Sequence, residues 1–235
     1  MKILGIIPAR GGSKRVPRKN IKDLGGLPLI AYTIKAVKDA KFIADCIVST
    51  EDEEIAAVAQ KHGANVPFVR PVELSGNQMG DRPVLIHALE TYEALTNLKF
   101  DAICLLRPTS PFRTGALIDA GIQKLIETKA DSVRSMTKVE GVHHPYWMFQ
   151  EENGKAKGVV PGISIETYYQ SQLLPPVFRL NGCVDLIRKE NLRDENGPLY
   201  GENMAILETP EKESIDIDTP EDFAYCEWLI NEGLR

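Results

Sequence analysis

The sequence predicts a doubly wound α/β fold built around one mostly parallel sheet. Short apolar runs alternate with segments of helical periodicity through residues 2–139, a pattern typical of parallel sheets covered by helices on both faces. The segments richest in glycine and charge come directly after apolar runs, where such sheets bind their ligands. At 235 residues the chain is long enough for one large domain, and we expect residues 1–235 to form one.

The individual elements follow from the spacing of apolar residues. The predicted strands are residues 2–8, 45–50, 101–106 and 131–139, and the predicted helices are residues 28–40, 51–63, 82–96 and 114–128. Helix 51–63 begins with acidic residues and ends at a glycine, and Pro28 suits a first helical turn. From about residue 140 to residue 178, aromatic and turn residues occur without a sustained period, which indicates an inserted excursion.

The composition disfavours several classes of function. A formal net charge of -5 argues against a general nucleic-acid-binding protein, which usually carries a basic surplus. The apolar run before Pro8 is too short for a signal peptide or a membrane span, so we expect a cytoplasmic protein without a membrane partner. Cys46, Cys104, Cys183 and Cys226 show no CxxC spacing, which favours reduced thiols over a zinc site or a disulfide framework.

The segment IIPARGGSKRVPRKN, residues 6–20, places five basic side chains directly after the first predicted strand. Gly11 and Gly12 allow close approach of the backbone, and successive N–H groups of such a loop can form an anion site. Charge for a polyphosphate would come from a set of four side chains, Arg10, Lys14, Arg18 and Lys19. The segment is neither a P-loop nor a GxGxxG dinucleotide turn, and a solvated basic loop is the alternative interpretation.

This segment and four others, in the same order, resemble the acylneuraminate cytidylyltransferases, also called CMP-sialic acid synthetases. The others are FVRPVEL (68–74), LLRPTSPFRT (105–114), RLNGCVDLIRKENL (179–192) and SIDIDTPEDF (214–223). The resemblance implies the nucleotide-diphosphosugar transferase type of α/β fold, with residues 140–178 as a dimerisation or lid arm. It also implies a homodimer that uses CTP and Mg²⁺ to attach CMP to the anomeric hydroxyl of an acidic nine-carbon sugar.

The resemblance further implies roles for individual residues. Lys19 would neutralise the triphosphate, and Arg70 would position the nucleotide. The nucleotide-binding set would be Arg10, Gly11, Gly12, Ser13, Lys14, Asn20, Arg70 and Asp81. The sugar would be bound by Arg107, Thr109, Ser110, Arg179 and Asn181, whereas Arg113 could equally be structural. The catalytic set would be Arg10, Lys19, Asp216 and Asp218.

Asp216 and Asp218 are the predicted Mg²⁺ ligands. In an extended segment, alternate side chains point to the same side, so IDID presents two hard oxygen ligands together. The alternative interpretation makes Asp218 the N-cap of the final helix. Glu221 and Asp222 are expected in the first turn of that helix as partners of its dipole.

Several positions depart from the family pattern and leave the sugar open. Gln170 and Ser171 stand where many members have arginines, Trp147 replaces a lysine, Arg107 replaces a common glutamine and Asp81 replaces a serine. N-acetylneuraminate, a legionaminate-like or pseudaminate-like sugar, and a deaminated sugar all remain candidate substrates.

These departures also support an alternative function, a catalytically impaired regulatory relative that binds nucleotide. An oxidoreductase that uses a dinucleotide is disfavoured because GxGxxG is missing. His143 and His144 lack a third ligand signal, so we expect the surrounding aromatic segment to make a dimer or lid contact and not to bind metal.

Overall fold

A six-stranded mixed sheet forms the centre of the molecule, in a computed structural model that describes residues 1–233. Its strands are β1 (Ile3–Pro8), β4 (Asp45–Ser49), β5 (Ala102–Leu105), β6 (Ser132–Lys138), β9 (Phe178–Arg188) and β10 (Met204–Glu208). The strand order is β10-β6-β9-β5-β1-β4, and β9 runs antiparallel to both of its neighbours. The other paired strands are parallel, so the expected mostly parallel sheet is confirmed.

Two short hairpins lie outside this sheet. They consist of β2 (Asp23–Leu24) with β3 (Leu27–Pro28), and of β7 (Phe149–Glu152) with β8 (Lys155–Gly158). The helices are α1 (Leu29–Asp39), α2 (Glu53–Lys61), α3 (Asp81–Thr96), α4 (Gly115–Thr128), α5 (Lys189–Arg193) and α6 (Pro220–Asn231). The predicted elements are therefore present, although Pro28 precedes α1 as its N-cap and does not occupy its first turn.

Helices cover both faces of the sheet, as the period-two alternation of its strands requires. Ile3 and Ile7 of β1 pack with α1, α2 and α4, whereas Leu4 and Ile6 pack with α3 and α5 on the other face. Helices α1 and α4 approach closely at Gly115, where a Cβ would lie 2.6 Å from the carbonyl carbon of Asp39. The doubly wound arrangement is thereby confirmed.

Residues 139–177 leave the sheet after β6 and return to it at β9, and we call this segment the arm. The base of the arm is closed by the Val139 N–H, which donates to the carbonyl of Val177 at 2.9 Å. His144 is buried and its Nε2 lies 3.0 Å from the carbonyl oxygen of Pro175, so this imidazole has an internal structural partner. Met148 and Phe149 are exposed, with Phe149 showing 52% of its surface.

The other sequence-level expectations concern thiols and membranes. All four cysteines are free thiols; three are buried and Cys46 is half-buried. None of the helices within residues 1–233 combines the length and the apolar character that a bilayer crossing needs.

Candidate active site

A cavity of about 680 Å³ opens at the carboxyl ends of β1 and β5. Its walls come from four segments that the sequence singled out and from the turn before α3. The lining residues are Pro8, Arg10, Ser13, Lys14, Arg15, Val16, Lys19, Asn20, Arg70, Leu74, Ser75, Gly76, Asn77, Met79, Gly80, Asp81, Val84, Arg107, Pro108, Thr109, Asp216 and Asp218. Eleven of the predicted site residues are thus brought together around one space.

The basic loop, residues 9–20, forms one wall and is fixed by its own polar groups. Asn20 is buried, and its amide donates to the carbonyl of Arg10 at 2.9 Å. Arg10 reaches across the cavity, where its Nη1 donates to the carbonyl of Gly76 at 3.3 Å. The Lys19 ammonium donates to the carbonyl of Ile217 and lies 3.3 Å from Asp218 Oδ1. The loop therefore contacts both the turn before α3 and the segment that carries the two aspartates.

Two expectations for this loop are wrong. Arg18 has a left-handed backbone, with φ of 54°, and its guanidinium pairs with Asp52 and Glu54 away from the cavity. Gly11 does not line the cavity, and its N–H donates to Glu51 Oε1 at 2.8 Å instead of remaining available to an anion. A Cβ at Gly11 would lie 2.4 Å from Asp52 Oδ2, so this glycine permits close packing against Asp52. Gly12 likewise lies outside the cavity lining.

Arg70 is the most buried cation of the cavity wall, with 3% of its side chain exposed. Its Nη2 donates to Glu51 Oε2 at 2.7 Å, and its Nε donates to Ser75 Oγ at 3.0 Å. Burial opposes ionisation of Glu51, yet hydrogen bonds from Gly11 N–H and Arg70 hold the pKa of this carboxyl below its usual value. Glu51, expected only as part of a charged helix start, instead precedes α2 and links the basic loop to Arg70.

Arg107 lines the cavity just after β5 and contacts two carboxylates. Its Nη2 donates to Asp81 Oδ2 at 2.5 Å, and its Nη1 donates to Asp185 Oδ2 at 2.7 Å. Asp185 lies on β9 and is fully buried. Arg113, which is also buried, donates to the carbonyl of Arg107 at 2.6 Å and to Thr33 Oγ1 at 2.9 Å, so its contacts are structural.

Asp216 and Asp218 both face the cavity, as their alternation predicted. The segment is held by the Ile217 N–H, which donates to the carbonyl of Thr109 at 2.8 Å. Although solvent reaches the Asp216 carboxylate through the cavity, the surrounding protein removes much of its hydration and raises its pKa. The negative charge of Asp218 raises this pKa further, whereas a hydrogen bond from Thr109 and the charge of Lys19 oppose the rise.

Capping of the last helix does not use Asp218. Thr219 is the N-cap of α6: its Oγ1 accepts from the Asp222 N–H at 3.2 Å, and the Thr219 N–H donates to Asp222 Oδ2 at 2.8 Å. This reciprocal pair satisfies the start of the helix and leaves the Asp218 carboxylate directed to the cavity. The alternative N-cap interpretation of Asp218 is therefore wrong.

The carboxylates of Asp216 and Asp218 repel each other and are suitable ligands for a divalent cation. Their mutual repulsion contributes to the raised pKa of Asp216, and a cation bound between them would relieve it. Residues 1–233 contain no group of three or more acidic, histidine or cysteine side chains that could hold a metal ion by themselves. Mg²⁺ commonly takes only one or two carboxylates from a protein and completes its octahedron with phosphates and water.

Three predicted sugar-binding residues are not in the cavity lining. Asn181 is buried, and its amide donates to Thr137 Oγ1 at 2.9 Å and to Thr209 Oγ1 at 2.6 Å, so it joins strands instead of facing a ligand. Ser110 is fully buried, and its hydroxyl has no hydrogen-bond partner within residues 1–233. Arg179 is exposed, and its Nη2 lies 3.4 Å from Glu211 Oε1.

Sequence reasoning missed most of the wall formed by the turn before α3. The missed residues are Ser75, Gly76, Asn77, Met79 and Gly80. Two glycines and an asparagine in the six residues 75–80, without apolar periodicity, could have indicated a loop at the site. The buried Asp185 was also missed, although a carboxylate inside the apolar run CVDLI is itself unusual.

A basic loop and paired carboxylates at the carboxyl edge of an α/β sheet define a nucleotide-binding protein of the nucleotidyltransferase type. The profile of the family described as "Cytidylyltransferase" matches residues 4–229, and the chain belongs to this family. This result confirms the resemblance found in the sequence motifs.

Among curated relatives, a CMP-N,N'-diacetyllegionaminic acid synthase of Legionella pneumophila is 34% identical over 233 residues, covering 98% of this chain and 97% of that protein. A pseudaminic acid cytidylyltransferase of Campylobacter jejuni is 34% identical over 166 residues, covering 67% of this chain and 71% of that protein. A solved CMP:2-keto-3-deoxy-manno-octonic acid synthetase in complex with CTP shares the fold. Its TM-score is 0.73 at 16% identity, covering 99% of this chain and 100% of that one.

Proposed function

We propose that this protein transfers CMP from CTP to the anomeric hydroxyl of an acidic nine-carbon sugar and releases pyrophosphate. The observation that carries the proposal is the meeting of the basic loop with Asp216 and Asp218 in one cavity, where Lys19 Nζ lies 3.3 Å from Asp218 Oδ1. A triphosphate needs cations, and a reacting phosphorus needs charge neutralisation beside it. The cavity supplies both.

We propose a legionaminate-type sugar as the first candidate substrate. The relative named for N,N'-diacetyllegionaminic acid matches nearly the whole chain, including the arm, whereas the relative named for pseudaminic acid matches 67% of it. The arm also carries three of the positions at which the chain departs from the pattern of the sialic acid enzymes, Trp147, Gln170 and Ser171.

In the proposed reaction the sugar oxygen attacks the α-phosphorus and the bond to the β-phosphate oxygen breaks. Arg10, Lys14 and Lys19 bind the triphosphate and stabilise the charge that develops on the pyrophosphate leaving group. The hydroxyl proton must leave the sugar oxygen, and Asp216 and Asp218 are bases in the adjoining wall. The side chains therefore align the two substrates and neutralise charge, and none of them needs to act as a nucleophile.

Mg²⁺ would be held by Asp216 and Asp218, and when bound it would supply positive charge to the phosphate oxygens. The remaining cations of the wall, including the buried Arg70, keep the nucleotide in register.

We further propose that the protein is a homodimer that pairs through the arm. Large apolar side chains are exposed along the arm: Val142, Met148, Phe149, Val159, Ile165, Tyr169 and Leu173. Seven large apolar side chains exposed within one segment indicate an interaction surface, and a second copy of the chain is the partner that the family resemblance suggests. The cytoplasmic location expected from the sequence stays a prediction.

Pyrophosphate release tests the proposal directly. The purified protein is incubated with CTP and Mg²⁺ against a panel of legionaminate, N-acetylneuraminate, pseudaminate and deaminated nonulosonate, with EDTA and ATP controls. Release with one acidic sugar, abolished by EDTA and absent with ATP, supports the reaction and identifies the sugar. Silence across the panel from protein that CTP stabilises thermally would contradict it and favour the regulatory alternative.

A further inference from the structure

Arg107 presents two different edges to its surroundings. The inner edge, Nη1, is 2.7 Å from Asp185, which is fully buried. The outer edge, Nη2, is 2.5 Å from Asp81, whose side chain is 41% exposed at the first turn of α3. Arg113 fixes the backbone carbonyl of Arg107 at 2.6 Å. The inner edge is therefore anchored, whereas the partner of the outer edge can turn into solvent.

Asp185 does not depend on Arg107 alone. Arg134 donates to it from Nε at 3.0 Å and from Nη2 at 3.3 Å, and the Tyr200 hydroxyl lies 3.5 Å from the same carboxylate. The Arg134 guanidinium also stacks on the Tyr200 ring, 3.8 Å from its centroid. These contacts hold Asp185 in place whichever group occupies the outer edge of Arg107.

Within this cluster, the buried Asp185 compensates only one of the two arginine charges. Arg107 and Arg134 carry two positive charges and Asp185 carries one negative charge, so Asp81 balances the surplus. Exchange of the Asp81 carboxylate for another carboxylate would keep the cluster neutral. A neutral group in its place would leave a partly buried guanidinium uncompensated, which is costly.

The position of Arg107 favours the carboxylate of the sugar over an oxygen of the triphosphate as the replacement ligand. Arg10, Lys14 and Lys19 of the basic loop already supply cations for the triphosphate, whereas Arg107 lies two residues from Thr109, which bonds to Asp216. Arg107 therefore stands beside the proposed reaction centre, and its planar fork matches a carboxylate.

We propose that Asp81 is an internal stand-in for the carboxylate of the sugar, holding the outer edge of Arg107 until the substrate's carboxylate replaces it. The exchange makes an anionic sugar the preferred ligand, because a neutral sugar could not restore neutrality at Arg107. The displaced Asp81 remains stabilised at the N-terminus of α3, where a negative charge is favoured. This inference rests on the proposed function for the identity of the sugar.

Equilibrium titration of the sugar tests the exchange independently of turnover. N,N'-diacetyllegionaminate and its uncharged methyl ester are titrated into the full-length protein and into Asp81→Asn, Arg107→Gln and the double variant. We expect Arg107→Gln to weaken binding of the acid on the order of tenfold or more. Asp81→Asn should tighten it severalfold by removing the competitor, and the ester should respond to neither substitution. In the double variant, Asp81→Asn should have no further effect.

Equal effects on acid and ester, weaker binding of the acid by Asp81→Asn, or no binding of the acid by the wild type would each overturn the inference. Arg193→Gln and Glu90→Gln are the matched controls, because this exposed pair, 3.2 Å apart, lies outside the cavity lining. Pyrophosphate release is measured separately. A wild type that binds the acid but releases no pyrophosphate contradicts the proposed reaction, whereas the binding titrations still decide whether Asp81 exchanges with the sugar carboxylate. Asp81→Asn alone suffices if Arg107→Gln does not fold.

Discussion

The cavity wall and the arm satisfy their side chains in opposite ways. In the wall, charged groups find partners within the chain: Arg70 bonds to Glu51, Arg107 bonds to Asp81 and Lys19 lies beside Asp218. In the arm, large apolar groups such as Phe149 and Tyr169 face outward, with 52% and 65% of their surfaces exposed. The wall is therefore organised before a ligand arrives, whereas the apolar surface of the arm requires a partner to be buried.

The sharpest way to break this comparison is to remove charge from the wall without changing its shape. Asp218→Asn keeps the side-chain volume but removes one of the two proposed Mg²⁺ ligands. We expect pyrophosphate release to fall at least about 1000-fold, because charge neutralisation at phosphorus is the main catalytic contribution.

Thr219 and Asp222 cap α6 without Asp218, so the melting temperature of Asp218→Asn should stay close to that of the wild type. Pyrophosphate release and thermal unfolding are measured on the same preparation. Undiminished Mg²⁺-dependent turnover would remove Asp218 from the metal site.

A second substitution tests whether the ion pairs of the cavity wall also stabilise the fold. Arg70→Ala leaves the Glu51 carboxylate, 14% exposed, without its guanidinium partner. Breaking a buried pair in this way is expected to lower the free energy of unfolding by about 3–5 kcal/mol. Urea unfolding measures the change, with Glu90→Ala as control, which breaks the exposed pair with Arg193 and for which less than about 1 kcal/mol is expected. A loss at Arg70 no larger than that of the control would show that the wall is not preorganised.

The arm offers the converse test. Phe149→Asp should weaken the proposed dimer, since burial of a phenylalanine side chain contributes about 1.5–3 kcal/mol, roughly 10- to 150-fold in the dissociation constant. The folded protomer should keep its stability, because Phe149 is exposed within the chain. Sedimentation velocity over a concentration series measures the dissociation constant.

Tyr225→Asp is the matched control for the arm, because Tyr225 is an equally exposed aromatic residue on α6, at 50%. A wild type that sediments as a monomer at all concentrations, or a dimer weakened equally by both substitutions, would contradict pairing through the arm.

The smallest expected effect concerns the ion pair behind the basic loop. The hydrogen bond from Arg18 is the main cause that holds the pKa of Asp52 below its usual value of 3.8, against the opposing effect of burial. Because the native pKa is lower than the unfolded one, this stabilisation is present above the unfolded pKa and is lost as the pH falls through the native pKa.

Asp52→Asn keeps an oxygen for the Ile55 N–H at the start of α2 but removes the charge. We expect a loss of about 0.5–1 kcal/mol at pH 7 that disappears in acid. Urea unfolding at several pH values measures it, and a difference independent of pH would contradict the assignment to the ion pair.

The regions that converge on the cavity could be predicted from the sequence, whereas the contacts of single residues could not. Apolar periodicity places the basic loop and residues 107–109 at strand ends, which meet at one edge, whereas Asp216 was predicted from the family resemblance and the alternation of IDID. Which arginine of the loop faces outward depends on the left-handed φ of Arg18, for which local sequence carries no reliable signal. Asn181 turned inward because it lies in β9 beside the register shift between Arg134 and Met136 of β6, where its side chain bonds to Ser135 and Thr137. Such registers are decided by long-range pairing.

The reversed direction of β9 has a consequence for how this protein can change over evolutionary time. Because β9 is antiparallel to β6, Lys138 pairs with Phe178, and the chain leaves and re-enters the sheet at neighbouring positions on the ligand-bearing edge. A segment whose two ends are already clamped together can be lengthened, shortened or exchanged at small entropic cost. The arm is thus an interchangeable cassette on the same edge of the sheet as the cavity, through which a lineage can acquire a new acceptor or a new assembly while β1, β5 and the loops that follow them stay unchanged.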